Sequence, residues 1–143
     1  MEIDQVPFAA HNGIEIAPDN SVYLPENTRL NNHVSGVHAG AQFLLAESAS
    51  GYYLLTAFPE FIGRIIPLLR ESNIRYTQQI QGALRSRIKV DDVTIDKFRQ
   101  TLAVRSRAVI QLEVELIDQQ DLICCTASFR WFVRLQPEQL EGD

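Results

Sequence analysis

Apolar and polar positions alternate most regularly in the C-terminal third of the chain, and that alternation sets the fold class. "VIQLEVELI" puts Ile110, Leu112, Val114 and Leu116 on one face against Gln111, Glu113 and Glu115. "LICCTASFRWFVRL" repeats the period with Ile123, Cys125, Ala127, Phe129, Trp131, Val133 and Leu135, and "DQQD" between the two reads as a hairpin turn. Upstream, "NIRYTQQI" and "GALRSRIKV" alternate through Ile74, Tyr76 and Ile80 and then through Leu84, Ile88 and Val90, split by Gly82 at a turn or bulge. These are two strands or one bent one. "GIEIA" and "SVYL" near the start are short strands, each followed by proline, and "PENTRLNNHVSG" reads as turns. Glu113 and Glu115 share a neighbourhood with Arg85, Arg87, Arg130 and Arg134, which predicts cross-strand charge pairing on a solvated sheet face.

The period changes at Val37. Gly40, Phe43, Leu44, Glu47, Gly51, Leu54 and Leu55 recur at steps of three or four, which predicts a helix with one carboxylate in its stripe. Small residues, from Ala41 through Ala46, Ser48, Ala49, Ser50 and Gly51, let other backbones approach it on several sides, so this helix should be central and wrapped. "PEFIGRIIPLLR" opens with Pro59 at a favourable first-turn position and meets Pro67 inside, which predicts a short, kinked helix. "DDVTIDKFRQTLAV" starts with capping acids and predicts a helix of about three turns. One antiparallel sheet curved around one long helix accommodates this order, an α+β architecture.

Composition narrows the class. The chain has 143 residues, 45% of them hydrophobic, which fits one domain spanning 1–143 with a core from about residue 13 to 136 and a tail, 137–143, expected to fray. Thirteen basic against eighteen acidic residues give a net charge of -5 with no basic block, so nucleic acid is not an expected partner. The segment "MEIDQVPFAAHNG" has acids where an export signal has basic residues, and no uncharged apolar run reaches the roughly eighteen residues a membrane span needs. The only cysteines, Cys124 and Cys125, are neighbours that point to opposite faces of a strand, which excludes a disulfide framework and fits a reducing cytoplasm.

The stretch "NHVSGVHAGAQFLLAESASG" resembles the entry to the central helix of hotdog-fold acyl-CoA thioesterases, nearest in pattern to the phenylacetate-pathway-like branch. That family shows an Asn, then a His-Gly-Gly turn, then an acid about two helical turns on. Here Asn32 matches the Asn, His38, Ala39 and Gly40 the turn, and Glu47 the acid. The resemblance covers roughly residues 25 to 135, with specific motifs only between Asn32 and Gly51. It implies a hotdog fold, hydrolysis of an acyl-CoA or acyl-carrier thioester, a homodimer that can pair into a dimer of dimers, and coenzyme A as part of the substrate with no separate cofactor and no metal. It also implies that His38, Phe43, Ser48 and Gly51 line the acyl site. Ala39 departs from the pattern by adding a Cβ where the family has glycine. Thr77, Gln78 and Gln79 replace a common Arg-Pro pair, which turns the search for phosphate partners to Arg85, Arg87, Arg105 and Arg107.

The chemistry of the motif stands on its own. Backbone N–H groups opening a helix, aided by its dipole, suit the oxyanion that forms when a thioester carbonyl is attacked, and Ala39 and Gly40 would supply them. Glu47 would act as general base or as nucleophile, with Asn32 orienting the water or the carboxylate. Ala39 and Glu47 are eight residues apart, on the order of 12 Å along a helix. A two-fold dimer with antiparallel helices would bring the start of one beside the middle of the other. Against this stand plainer roles: Glu47 paired with an arginine, His38 as a cap, Asn32 as a turn residue, and the arginines and cysteines as ordinary sheet residues. Two further functions fit the residues: a non-catalytic acyl-binding protein, and a dehydratase using His33 and Glu47, fourteen residues apart as in hotdog β-hydroxyacyl dehydratases.

Overall fold

The computed structural model of the protein describes residues 3–139. Residues 140–143, most of the tail expected to fray, lie outside them. After a single 3-10 turn, Ile3–Gln5, the chain forms α1 (Pro7–His11), β1 (Glu15–Ile16) and β2 (Val22–Leu24), then a 3-10 turn at Thr28–Leu30 and the long helix α2 (Ala39–Thr56). A third such turn, Pro59–Phe61, leads to β3 (Ile65–Tyr76) and β4 (Leu84–Lys89), α3 (Asp92–Arg105), β5 (Arg107–Ile117) and β6 (Ile123–Leu135). The strands make one six-stranded sheet in the order β1-β2-β4-β5-β6-β3, every neighbouring pair antiparallel.

The sheet curls around α2, which packs against β2, β3, β4, β5 and β6. Register explains why. Ile110 stands opposite Trp131, Leu112 opposite Phe129 and Val114 opposite Ala127, so the apolar faces of β5 and β6 form one continuous surface. These six side chains are buried, together with Leu45, Ala46, Ala49 and Leu54 of the helix. The hairpin at 118–121 is closed by Asp118, whose carboxylate accepts from the N–H groups of Gln120 at 2.8 Å and Leu122 at 3.0 Å. On α3, the Asp91 carboxylate caps Thr94 N–H at 2.7 Å, as its acidic start predicts, and Phe98 and Leu102 are its buried residues.

Two expectations are corrected and one open reading is resolved. First, the segment from Pro59 to Arg70 is not a kinked helix: only Pro59–Phe61 is helical, and Ile65 onward is strand. Pro67 is compatible with that because β3 is the sheet's last strand, where one missing N–H costs no ladder bond on the outer side. Second, "NIRYTQQI" and "GALRSRIKV", read as two strands or one bent one, belong to two separate strands. The first ends β3, beside β6, while the second becomes β4 between β2 and β5. The loop between them buries Ile80 and turns through Gly82 at φ +87°, a conformation that favours glycine. Third, the predicted stripe is only partly the buried face: Leu44 and Leu54 of it are buried. Leu45, Ala49 and Tyr52 point inward, whereas Gly40 is exposed and Phe43, Glu47, Gly51 and Leu55 are half-buried. A helix apolar on nearly all sides carries no periodicity that could choose between these faces.

Glu113 is exposed, but Glu115 is buried at 8% exposure, held by Arg87 at 3.4 Å and Lys89 at 3.2 Å. Its carboxylate is paired, as the pattern predicts, but not on an open face. Among the described residues, no helix is long and apolar enough to cross a membrane.

Candidate functional site

The loop before α2 is built by hydrogen bonds that fix the helix start. Asn32 Oδ1 accepts from the N–H groups of Val34 and Gly36, both at 3.0 Å, in a local turn. Val37 N–H donates to Ile80 O at 2.8 Å, and Gly36 is close enough to the same carbonyl that a Cβ there would come to 3.0 Å. The entry loop and the loop after β3 are therefore clamped together. Gln79 adds a bond from Nε2 to Val34 O at 2.9 Å.

His38 is the cap of α2, and its Nδ1 accepts the Gly40 N–H at 2.8 Å. The capping role is thus observed, and it engages one of the two expected oxyanion donors. The Ala39 N–H has no hydrogen bond among the described residues, while the Ala39 carbonyl accepts from the Tyr76 hydroxyl at 3.1 Å. One free N–H at the opening of an eighteen-residue helix, with its dipole behind it, is a fixed partial positive charge.

Glu47 lies farther along that helix. Its carboxylate has no ion pair and no hydrogen bond among the described residues, so the expected alternative of an arginine partner does not appear there. Burial pushes its pKa above the ordinary glutamate range. Ala39–Thr56 is one uninterrupted helix, so the eight-residue separation does place Ala39 and Glu47 on the order of 12 Å apart along the axis. Phe43 and Gly51 flank Glu47. Phe43 packs edge-on against Phe129 with centroids 5.6 Å apart, and a Cβ on Gly51 would sit 3.4 Å from the Trp131 ring. Ser48 is buried, and its neighbour Ser50 takes the Trp131 indole N–H at 3.0 Å and donates to Glu47 O at 2.8 Å. The indole thereby anchors the backbone under the carboxylate.

The arginines considered as phosphate partners are not gathered at the helix start. Arg85 pairs with Asp121, Arg87 with Glu115. Arg105 and Arg107 sit where α3 meets β5, and Arg107 is nine residues before Leu116, which pairs with Cys125, whose other neighbour in the sheet is Tyr76. That is about 30 Å of strand. His33 is exposed on the entry loop. Burial pushes both Cys124 and Cys125 up to about 11, so neither thiol is a nucleophile at neutral pH.

Two residues of this region escaped the sequence reading. Tyr76 is read only as a strand residue and Gln42 is given no role in the site, although a glutamine inside an apolar helix is a signal of the same kind as Glu47. Both line a groove of about 430 Å³ that also borders Asn32, Ala39, Gln78 and Gln79.

A family profile described as a domain of unknown function, DUF4442, matches residues 12–133. The chain belongs to the DUF4442 family. No curated protein matches this DUF4442 chain. Among solved structures it is similar to PA5026 from Pseudomonas aeruginosa, a probable thioesterase, at a TM-score of 0.76 and 24% identity over 94% of this chain and 91% of that one. HI1161 from Haemophilus influenzae, a thioesterase, aligns at 0.72 and 13% identity over 97% and 90%. BH2602 from Bacillus halodurans, crystallised with CoA, aligns at 0.67 and 21% over 88% and 74%. The DUF4442 chain has the hotdog fold that its helix-entry motif implied.

Proposed function

We propose that this protein hydrolyses acyl thioesters at a site shared by two copies of the chain. The observation that carries this reading is the pair of unpartnered groups on one helix, the Ala39 N–H and the Glu47 carboxylate, too far apart to serve one carbonyl from one copy. In a two-fold dimer with antiparallel α2 helices, each acid faces the other copy's helix start. The thioester oxygen sits at the Ala39 N–H, and Asn32, whose Oδ1 is occupied by the turn, turns its amide nitrogen toward the substrate. Glu47 takes a proton from water as the water oxygen bonds to the carbonyl carbon. The oxyanion forms at the helix opening, the C–S bond then breaks, and the proton passes to the departing sulfur. Direct attack by Glu47, with a mixed anhydride hydrolysed afterwards, uses the same groups. A raised pKa suits a group that must both accept and return a proton near neutrality.

The neighbouring CoA-bound and thioesterase structures support a coenzyme A thioester as the substrate class, and the charge-poor helix start accommodates a carrier-bound thioester equally. Glu47→Gln should lower release of free thiol from acyl-CoA by about 10²-fold or more, the range expected when a positioned general base is lost. Thiol release is followed with a colorimetric thiol reagent, and turnover unchanged by the substitution removes Glu47 from the mechanism. The engagement of Gly40 N–H by His38 favours a second reading, an acyl-binding protein without turnover. Saturable binding of acyl-CoA with no thiol released would establish it in place of the first.

A further inference from the structure

Most of what surrounds α2 does little to fix its rotation. The helix is apolar on nearly all sides, and next to Glu47 it carries the small side chains Ala46, Ser48, Ala49, Ser50 and Gly51. Hydrophobic contact is non-directional, so turning such a helix about its axis exchanges one smooth contact for another. The acid is sensitive to that motion. A rotation of about 10° carries the tip of a side chain, about 5–6 Å from the axis, through about 1 Å. A displacement of about 1 Å at a reacting group can lower a rate by about 10²-fold. An acid that acts on a carbonyl seated elsewhere therefore needs a directional restraint.

Ser50 and Trp131 supply one. The indole Nε1–H donates to Ser50 Oγ at 3.0 Å, and that hydroxyl donates in turn to Glu47 O at 2.8 Å. Ser50 is fully buried and Trp131 is 4% exposed, so water does not compete for either bond. Trp131 is itself held on both sides, with Leu69 of β3 and Ile110 of β5 as its partners across the sheet. The bonds thus run from the sheet, through one hydroxyl, to the carbonyl of the acid's own residue, and one rotation of the helix satisfies them. We propose that Ser50 and Trp131 are positioning residues that set the direction in which Glu47 points at the bound thioester. The inference rests on the thioesterase reading and deepens it by naming what holds its acid. Both side chains act through the Glu47 backbone and neither touches the substrate.

The test compares Ser50→Ala, Trp131→Phe and the double variant as intact proteins, by thiol release from acyl-CoA well below the Tm of each. In all three, kcat should fall about tenfold or more while KM stays within about twofold. The double variant should lose no more than the worse single one, because the two residues act as one chain; independent damage to the core would multiply instead. Trp131 is the chain's sole tryptophan, so its emission reports the bond directly and should move to the blue in Ser50→Ala, where the N–H has lost its acceptor. Should that orphaned N–H keep Ser50→Ala from folding, Trp131→Phe carries the same kinetic expectation alone. A loss carried by KM, or an emission unmoved by Ser50→Ala, overturns the proposal. If the parent hydrolyses acyl-CoA and the variants keep its kcat, the positioning role is wrong and the thioesterase reading stands. If no thioester is hydrolysed, or Glu47→Gln turns over like the parent, that reading fails, and the restraint is read from the carboxyl ¹³C resonance of Glu47. A resonance that differs between the parent and Ser50→Ala keeps the restraint, and one that does not removes it.

Discussion

An ionised glutamate inside an apolar helix is destabilising unless it is paired, and Glu47 has no partner among the described residues. Burial raises its pKa in the folded protein above the unfolded value, so its contribution to stability is fully present below the ordinary glutamate range and is lost as pH rises through the raised value. Glu47→Gln removes the ionisation while keeping the shape. The variant should therefore melt higher than the parent at pH 7 to 8, with the gap closing as the pH falls into the ordinary glutamate range. Thermal melts across that pH window check this, and a variant that melts lower at neutral pH would mean the carboxylate has a stabilising partner. Together with lost turnover, a stability gain is the signature of a residue kept for function at the expense of the fold. Glu47 could be singled out in the sequence because a charge among Phe43, Leu44, Ala46 and Gly51 breaks a chemical pattern. Gln42 breaks the same pattern with a neutral amide, a weaker contrast, and its incomplete hydrogen bonding becomes visible only when its neighbours are in place.

Elements were legible in proportion to how one-sided their burial is. β5 and β6 alternate cleanly because one face meets α2 and the other meets solvent, and the acidic start of α3 names its own cap. The apolar run Ile65–Leu69 carries neither period, so the proline inside it decided the reading, and decided it wrongly, since an edge strand accepts proline as readily as a helix start does. For α2 the helix was evident and its rotation was not. Its start also hides a detail no pattern reveals, an imidazole serving as the cap in place of the usual Ser, Thr, Asp or Asn. Replacing His38 with Ala should lower stability by about 1 kcal/mol, whereas His38→Asn, which restores a capping oxygen, should recover most of it. Denaturant midpoints of the two variants make the comparison. Equal losses in both would show that the ring acts by packing rather than by accepting the Gly40 N–H.

At the scale of the whole molecule, the sheet ends on one side in β3, a twelve-residue edge strand with no strand on its outer side among the described residues, and the half-buried stripe of α2 carries Glu47. Pairing of such edges across a two-fold axis, which the family resemblance implies, would make one extended sheet and set the two helices side by side. The shared site can be tested without a structure of the pair. Ala39→Pro removes the proposed oxyanion donor while sparing the helix, because Ala39 is the first helical residue, where proline is favoured, and His38 already has the extended conformation (φ -59°, ψ 139°) that precedes proline comfortably. Turnover should fall by about 10²–10³-fold, as for loss of one oxyanion donor. The partner variant, Glu47→Gln, should be equally inactive. When the two are refolded together, half of the dimers are mixed, and each mixed dimer contains one site built from an intact Ala39 and an intact Glu47 beside one that has lost both. Activity should return to about a quarter of the parent's, the share expected for random pairing of two-site dimers. A mixture that stays as inactive as its components would mean that each copy works alone, and the 12 Å between donor and acid, roughly eight helical residues, would then have to be bridged by some other group.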